Sequence, residues 1–204
     1  MTKIYLVRHA EAEGNIYRRC HGHYNGLLTG NGYRQLKQLE ERFSDIALSA
    51  VYTSDLFRTR RTAEALCKNS EISPMPRREL REISMGDWED IPWGDAKRDF
   101  PEEHAVWSND FKNARIPGGE SVEESARRLY AAISDIAGAH DGETVGVVSH
   151  GAVIRGFLSL AQFGGLERID EIAWSDNTSV SLLEYDSGEF NVIYHSDNSH
   201  GALE

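Results

Sequence analysis

Ile4-Tyr5-Leu6-Val7-Arg8-His9-Ala10 and, far along the chain, Val145-Gly146-Val147-Val148-Ser149-His150-Gly151 read alike. Each is a short apolar, β-branched run that stops at an imidazole followed by a small residue. Runs of this kind read as buried strands. In an open α/β sheet, ligands bind outside the carboxyl ends of the strands. Two histidines delivered to that edge, one with an arginine beside it, make a compact cationic site of the kind that phosphate chemistry requires.

The rest of the chain fits strands that alternate with helices. A loop rich in Gly, His and Asn follows the first strand from Glu11 to Asn31, and long loops inside compact domains are usually functional. Thr29 then introduces a helix with apolar positions at Leu36, Leu39 and Phe43. Ala50-Val51-Tyr52-Thr53 is a second strand, followed by a helix from about Leu56 to Lys68. Residues 70–78 read as an extended link with a short strand. The stretch from Leu80 to Pro101 reads as irregular, and Pro101 to Lys112 as a helix. Ser121 with Glu124 forms a capping box that opens a helix reaching about Ala137. A helix from about Val153 to Phe163 ends at Gly164-Gly165. Residues 178–185 and 189–195 form a hairpin turned at Asp186-Ser187-Gly188. The tail from about Ser196 is polar and is expected to be loose. This order predicts an α/β fold, a three-layer α/β/α sandwich with a mostly parallel central sheet and an antiparallel edge. A single domain over 1–204 is expected, since no repeat, low-complexity tract or linker interrupts the chain.

Composition narrows the function. The chain has 204 residues and a formal net charge of −11, which argues against general nucleic-acid binding and against docking on anionic lipid. An acidic protein that takes a phosphate must gather its positive charge in one cleft. Only two cysteines occur, which fits a reducing cytosol. No signal peptide or membrane span is read, so a cytoplasmic location is expected.

A neutral imidazole is a competent nucleophile, and His9 is placed to be one. Arg8 is its neighbour, Asn15 follows in the loop, and Arg58 opens the helix after the second strand. Arginine grips phosphate oxygens with a rigid, permanently charged fork. Arg60 and Arg61 read as solvated. Cys20-His21-Gly22-His23 has metal-binding residue types but no obvious fourth ligand, so no metal is assigned. Trp88 and Trp93 are expected to wall the cleft or pack over it.

Together these segments resemble the histidine phosphatase superfamily, the group that contains cofactor-dependent phosphoglycerate mutase. Leu6-Val7-Arg8-His9-Ala10-Glu11 is similar to its signature, with alanine where glycine is commonest. Gly22 to Thr29, Ser54-Asp55-Leu56-Phe57-Arg58, Leu80 to Glu89, Pro117 to Ser121 and Val148-Ser149-His150-Gly151 follow in the family's order. The resemblance implies a phosphorylated nucleophile at His9, with Arg8, Arg58, Asn15 and His150 around the phosphoryl group and Glu82 as proton donor. His21 and Gly22 lie in a segment that contacts substrate in the mutase branch.

The chemistry explains why such residues serve. A transferring phosphoryl group spreads charge over its equatorial oxygens, and fixed donors aimed at them lower the barrier. Arg8, Arg58 and a protonated His150 are expected to supply that charge without a metal or other cofactor. The leaving alkoxide needs a proton, which a carboxylic acid supplies when burial beside a dianion keeps it protonated. Glu82 fits, with Glu89 the alternative. The expectation is a metal-independent phosphomonoesterase acting on a small phosphorylated molecule. The alternatives are a phosphoglycerate mutase and a catalytically silent module that binds phosphorylated ligands. Ile83-Ser84-Met85-Gly86-Asp87-Trp88 after Glu82 resembles the phosphatase branch, and the oligomeric state is not readable.

Overall fold

The computed structural model describes residues 1–202. The chain runs through β1 (Thr2–Arg8), α1 (Glu13–Ile16), α2 (Gly30–Arg42), β2 (Ala50–Thr53), α3 (Phe57–Leu66) and β3 (Met75–Pro76). It continues through α4 (Trp93–Asp99), α5 (Pro101–Asn109), α6 (Val122–Ala139), β4 (Thr144–Ser149), α7 (Gly151–Phe163), β5 (Val180–Asp186) and β6 (Glu189–Asp197).

The strands form one sheet in the order β3-β2-β4-β1-β5-β6. β1, β2, β3 and β4 run parallel, while β5 and β6 add an antiparallel edge. In β1 the side chains alternate between the two faces, as the strand period requires. Ile4 and Leu6 join Val145 and Val147 against Leu129, Ile133 and Ile136 of α6 and Val153 and Phe157 of α7. Val7 turns the other way, with Val51 and Val148, against Leu36 and Leu39 of α2 and Ala63 and Leu66 of α3. Both faces are covered, as parallel sheets demand, and the predicted three-layer sandwich is what forms.

The Ser121 side chain accepts from the Glu124 N–H at 3.1 Å and Glu124 Oε2 accepts from the Ser121 N–H at 2.8 Å. That capping box is the one read from the sequence, and a cap of this kind contributes about 1 kcal/mol. Gly164 closes α7 with φ +74°, the left-handed cap conformation.

Four local expectations differ from the structure. α7 begins at Gly151, not Val153, because His150 is itself the helix N-cap: strand passes to helix with no loop between, while the apolar pattern starts only at Val153. The stretch expected to be irregular holds α4, a seven-residue helix between prolines that is too short to show a period. The long loop after β1 carries the four-residue α1. The tail is not loose up to residue 202. Arg42 of α2 donates to Asp197 Oδ2 at 2.7 Å and bonds His200 Nδ1 at 2.9 Å, and His200 is buried. Among the described residues, no helix is long and apolar enough to cross a membrane.

Candidate active site

β1 and β4 are adjacent and in register, Arg8 opposite Ser149. The residues that follow them, His9 and His150, therefore emerge side by side with ring centroids 5.2 Å apart. The His9 N–H donates to the Ser149 carbonyl at 3.0 Å, and its own carbonyl accepts from Asn177 Nδ2 at 2.9 Å. His9 Nδ1 lies 2.7 Å from the Ala10 carbonyl oxygen. A carbonyl only accepts, so Nδ1 carries the proton and Nε2 keeps its lone pair. Burial, reinforced by Arg58 and Arg8, pushes His9 well below the ordinary histidine range. It is a neutral imidazole with its free nitrogen at Nε2.

Cations surround it. Arg58 is buried, with Nη1 donating to the Tyr24 carbonyl at 2.8 Å and Nη2 to the Gly22 carbonyl at 2.7 Å. Burial lowers it to about 10, so it stays charged at neutral pH. Arg8 Nη1 donates to the Ser175 carbonyl, and Gly151 leaves room for its guanidinium, since a Cβ there would stand 3.2 Å from Nε. Asn15 Oδ1 accepts from the Ala12 N–H at 2.9 Å, which leaves its amide NH₂ as the free donor. The Nε groups of Arg8 and Arg58 and the Nδ1 groups of His21 and His150 are all buried without a protein partner. Orphaned polar groups of this kind need an explanation, and here they gather in one place.

His150 Nε2 lies 2.8 Å from Ser54 Oγ. Burial first, then Arg58, hold His150 well below the ordinary value. Both causes favour the neutral imidazole as long as no anion is bound, because the guanidinium shares its buried surroundings. The Glu82 carboxylate sits on the N-terminus of α7. Oε1 accepts from Val153 and Ile83 N–H at 2.9 Å, and Oε2 from the Ala152 N–H at 3.1 Å. Glu89, the alternative donor, has its oxygens taken by the N–H groups of His23, Tyr24 and Met85. It staples the 22–25 loop to the segment after Glu82.

A cavity of about 380 Å³ opens over these groups, lined by Arg8, His9, Asn15, Arg58 and Glu82 on its polar floor and by His21 and Gly22 at one side. The His21 ring is sandwiched between Gly14 and Gly26, where a Cβ would lie 2.4 Å and 2.3 Å from it. Burial lowers it to about 4. Met85, Trp93, Trp107 and Trp174 form a further wall, and Arg18 and Arg19 also line the cavity. Cys20, His21 and His23 diverge: Cys20 is buried in an aromatic cluster with Trp88, and His23 Nε2 donates to the Glu82 carbonyl at 2.8 Å. Trp88 is fully buried beneath the wall, and Trp93 reaches the cavity.

Sequence reasoning named the floor and, beside it, His21, Gly22 and Trp93, and missed Met85, Trp107 and Trp174. Trp174 and Asn177 lie in the polar loop before β5, whose one signal was an isolated tryptophan next to the strand that pairs with β1. Trp107 was hidden in an exposed helix. Ser54 stood in a quoted motif and was given no role.

Two parallel strands end in histidines at the edge of an α/β sheet, His9 lining the cavity and His150 buried behind it. The two arginines of the floor each hold a buried Nε without a protein partner, an arrangement suited to an anion. The pattern of the histidine phosphatase superfamily (branch 1) matches residues 4–198, and the chain belongs to that family. It is 32% identical over 203 residues to phosphoglycerate mutase-like protein 4 of Arabidopsis thaliana, covering 98% of this chain and 86% of that one. Among solved structures it superimposes on YhfR of Bacillus stearothermophilus with a TM-score of 0.91 and 30% identity, covering 98% and 99% of the two chains. The α-ribazole phosphatase of Shigella flexneri shares the fold, with a TM-score of 0.85 at 22% identity over 96% of each chain.

Proposed function

We propose that this chain hydrolyses phosphomonoesters through a phosphohistidine at His9. The observation that carries the reading is the fixed tautomer: Nδ1–H is held on the Ala10 carbonyl, and Nε2 is left nucleophilic between Arg8 and Arg58. Nε2 attacks phosphorus, the P–N bond forms, and the ester P–O bond breaks. The N–H donors of Arg8, Arg58 and Asn15 take the charge that spreads over the equatorial oxygens. A bound dianion adds the opposite charge that His150 lacks and draws a proton onto it. Arginines meet the need for cations, so the reaction requires no metal.

Glu82 protonates the leaving oxygen. Its Oε2 accepts one N–H where Oε1 accepts two, so Oε2 has the spare lone pair for that proton. The carboxylate then takes a proton from water, the hydroxide attacks phosphorus, the P–N bond breaks, and phosphate leaves. Met85, Trp93, Trp107 and Trp174 receive the leaving group, which favours an apolar or planar one over a compact, heavily charged one.

The experiment is rapid-quench mass spectrometry during turnover of p-nitrophenyl phosphate with EDTA present. A phosphoryl adduct on His9 is the expected result. Turnover with no adduct at any quench time refutes the mechanism. The name of the Arabidopsis relative supports a second reading, phosphoglycerate mutase. Interconversion of phosphoglycerates primed by the bisphosphate, faster than their hydrolysis, selects it.

A further inference from the structure

Behind His150 lies a chain of hydroxyls that the reaction above leaves without a task. Ser54 follows β2 directly, Thr59 sits in the first turn of α3, and both are fully buried, as is His150. Thr59 Oγ1 lies 2.9 Å from the Leu56 carbonyl and 3.1 Å from that of Ser54. Carbonyls only accept, so the single Thr59 proton is committed to them. Ser54 Oγ lies 2.6 Å from Thr59 Oγ1, and two oxygens that close need a proton between them, which Ser54 must supply. The Ser54 proton is then spent, and its oxygen accepts from His150 Nε2 at 2.8 Å. The reverse direction, from Thr59 through Ser54 to His150 Nε2, would leave the buried Thr59 oxygen facing two carbonyl oxygens, 2.9 and 3.1 Å away, with no proton between them.

We infer that Ser54 and Thr59 are positioning residues that lock His150 in its Nε2–H tautomer and reserve Nδ1 as the nitrogen that gains a proton and donates it to the phosphoryl group. Nδ1 is buried beside His9 and has no protein partner. The charged and titratable groups that bear on the ring are Arg58, His9, His23 and Arg128. All of these oppose a proton on it, so an incoming phosphoryl charge is what brings one. The hydroxyl chain ends on main-chain carbonyls, so Nε2 cannot release its proton along it and Nδ1 is the nitrogen that titrates. The two histidines thereby hold opposite tautomers, His9 with Nδ1–H and His150 with Nε2–H. The inference rests on the phosphohistidine reading only for the word phosphoryl, since the tautomer exists without substrate.

The test is long-range ¹H–¹⁵N correlation of ¹⁵N-histidine-labelled protein, with orthovanadate as the probe. His150 is expected to show a protonated Nε2 and a bare Nδ1, and vanadate is expected to move Nδ1 alone towards the protonated range. A wild-type His150 with Nδ1–H overturns the inference without bearing on the His9 adduct, and a missing adduct with the expected tautomer overturns only the mechanism. In Thr59→Val the tautomer is expected to become mixed and kcat to fall roughly tenfold, about one hydrogen bond's worth, with KM little changed. Thr59→Ser is expected to restore both, and the His9 Nδ1–H signal serves as the folding control. A Thr59→Val protein that keeps the His9 signal, a single Nε2–H His150 and wild-type kcat overturns the role of the chain.

Discussion

The floor and the wall of the cavity are built on different principles. On the floor, His9, Arg8, Arg58, Asn15 and Glu82 each have a side-chain atom held by a backbone or amide partner, so orientation is set to within a hydrogen bond. The wall is a stack of rings. Trp93 and Trp107 lie with centroids 5.6 Å apart over the buried Trp88. Trp174 is half exposed and held from behind by Arg155, whose guanidinium lies 4.7 Å from its ring. Polar geometry specifies one ligand group closely, whereas rings specify only shape and apolarity. The phosphate end should therefore tolerate almost no change, and the leaving-group end should be tunable.

That contrast can be broken most sharply at His9. His9→Ala should lose about 10⁴-fold or more in kcat, since no neighbour can replace the nucleophile. Substantial residual turnover of p-nitrophenyl phosphate would show that the floor is not where the chemistry happens. Glu82→Gln should lose about 10³-fold on alkyl phosphates, within the usual span for acid catalysis, and far less on p-nitrophenyl phosphate. The glutamine NH₂ would also face the N–H groups at the start of α7, so the aryl substrate reads that structural part separately. Equal losses on both substrates would remove Glu82 from the donor role. Arg58→Ala should raise KM and lower kcat together, about 10²-fold in kcat, because it loses a phosphate donor and frees the Gly22 and Tyr24 carbonyls.

On the wall, Trp174→Ala should cost about tenfold in kcat/KM for aryl phosphates and nothing for the smallest alkyl phosphates. A uniform loss would mean that the ring props up the floor. The smallest effect concerns acid. His9, His150 and His21 are all held below their unfolded values by burial. Stability is therefore complete above about pH 6.5 and falls as the pH drops below it, by at most about 1.4 kcal/mol per pH unit for each histidine. Urea titrations of His9→Ala should show a shallower acid slope than the wild type, and an identical slope would refute the assignment.

The floor was legible because strand and chemistry coincide there: a buried apolar run announces where a strand ends, and His9 and His150 stand at that point. The cap at Ser121 and the turn at Gly164 were legible for a similar local reason. Of the wall only Trp93 was, because Trp107 and Trp174 belong to an exposed helix and a polar loop that only the tertiary fold brings together. The resting state of His150 was hidden for the same reason: sequence places an arginine near it, but the burial of both is a property of the fold. The Ser54–Thr59 pair was invisible because a hydroxyl's direction depends on the single proton each oxygen owns.

β1 is paired on both of its edges, with β4 on one side and β5 on the other. Its backbone opens only when the sheet does, so amide exchange at Leu6 and Val7 should track global unfolding. Any molecule that settles at its end then stabilises the entire protein according to its occupancy. A melting-temperature screen of metabolite phosphates, run on a variant silenced at residue 9, would rank natural substrates with no turnover at all.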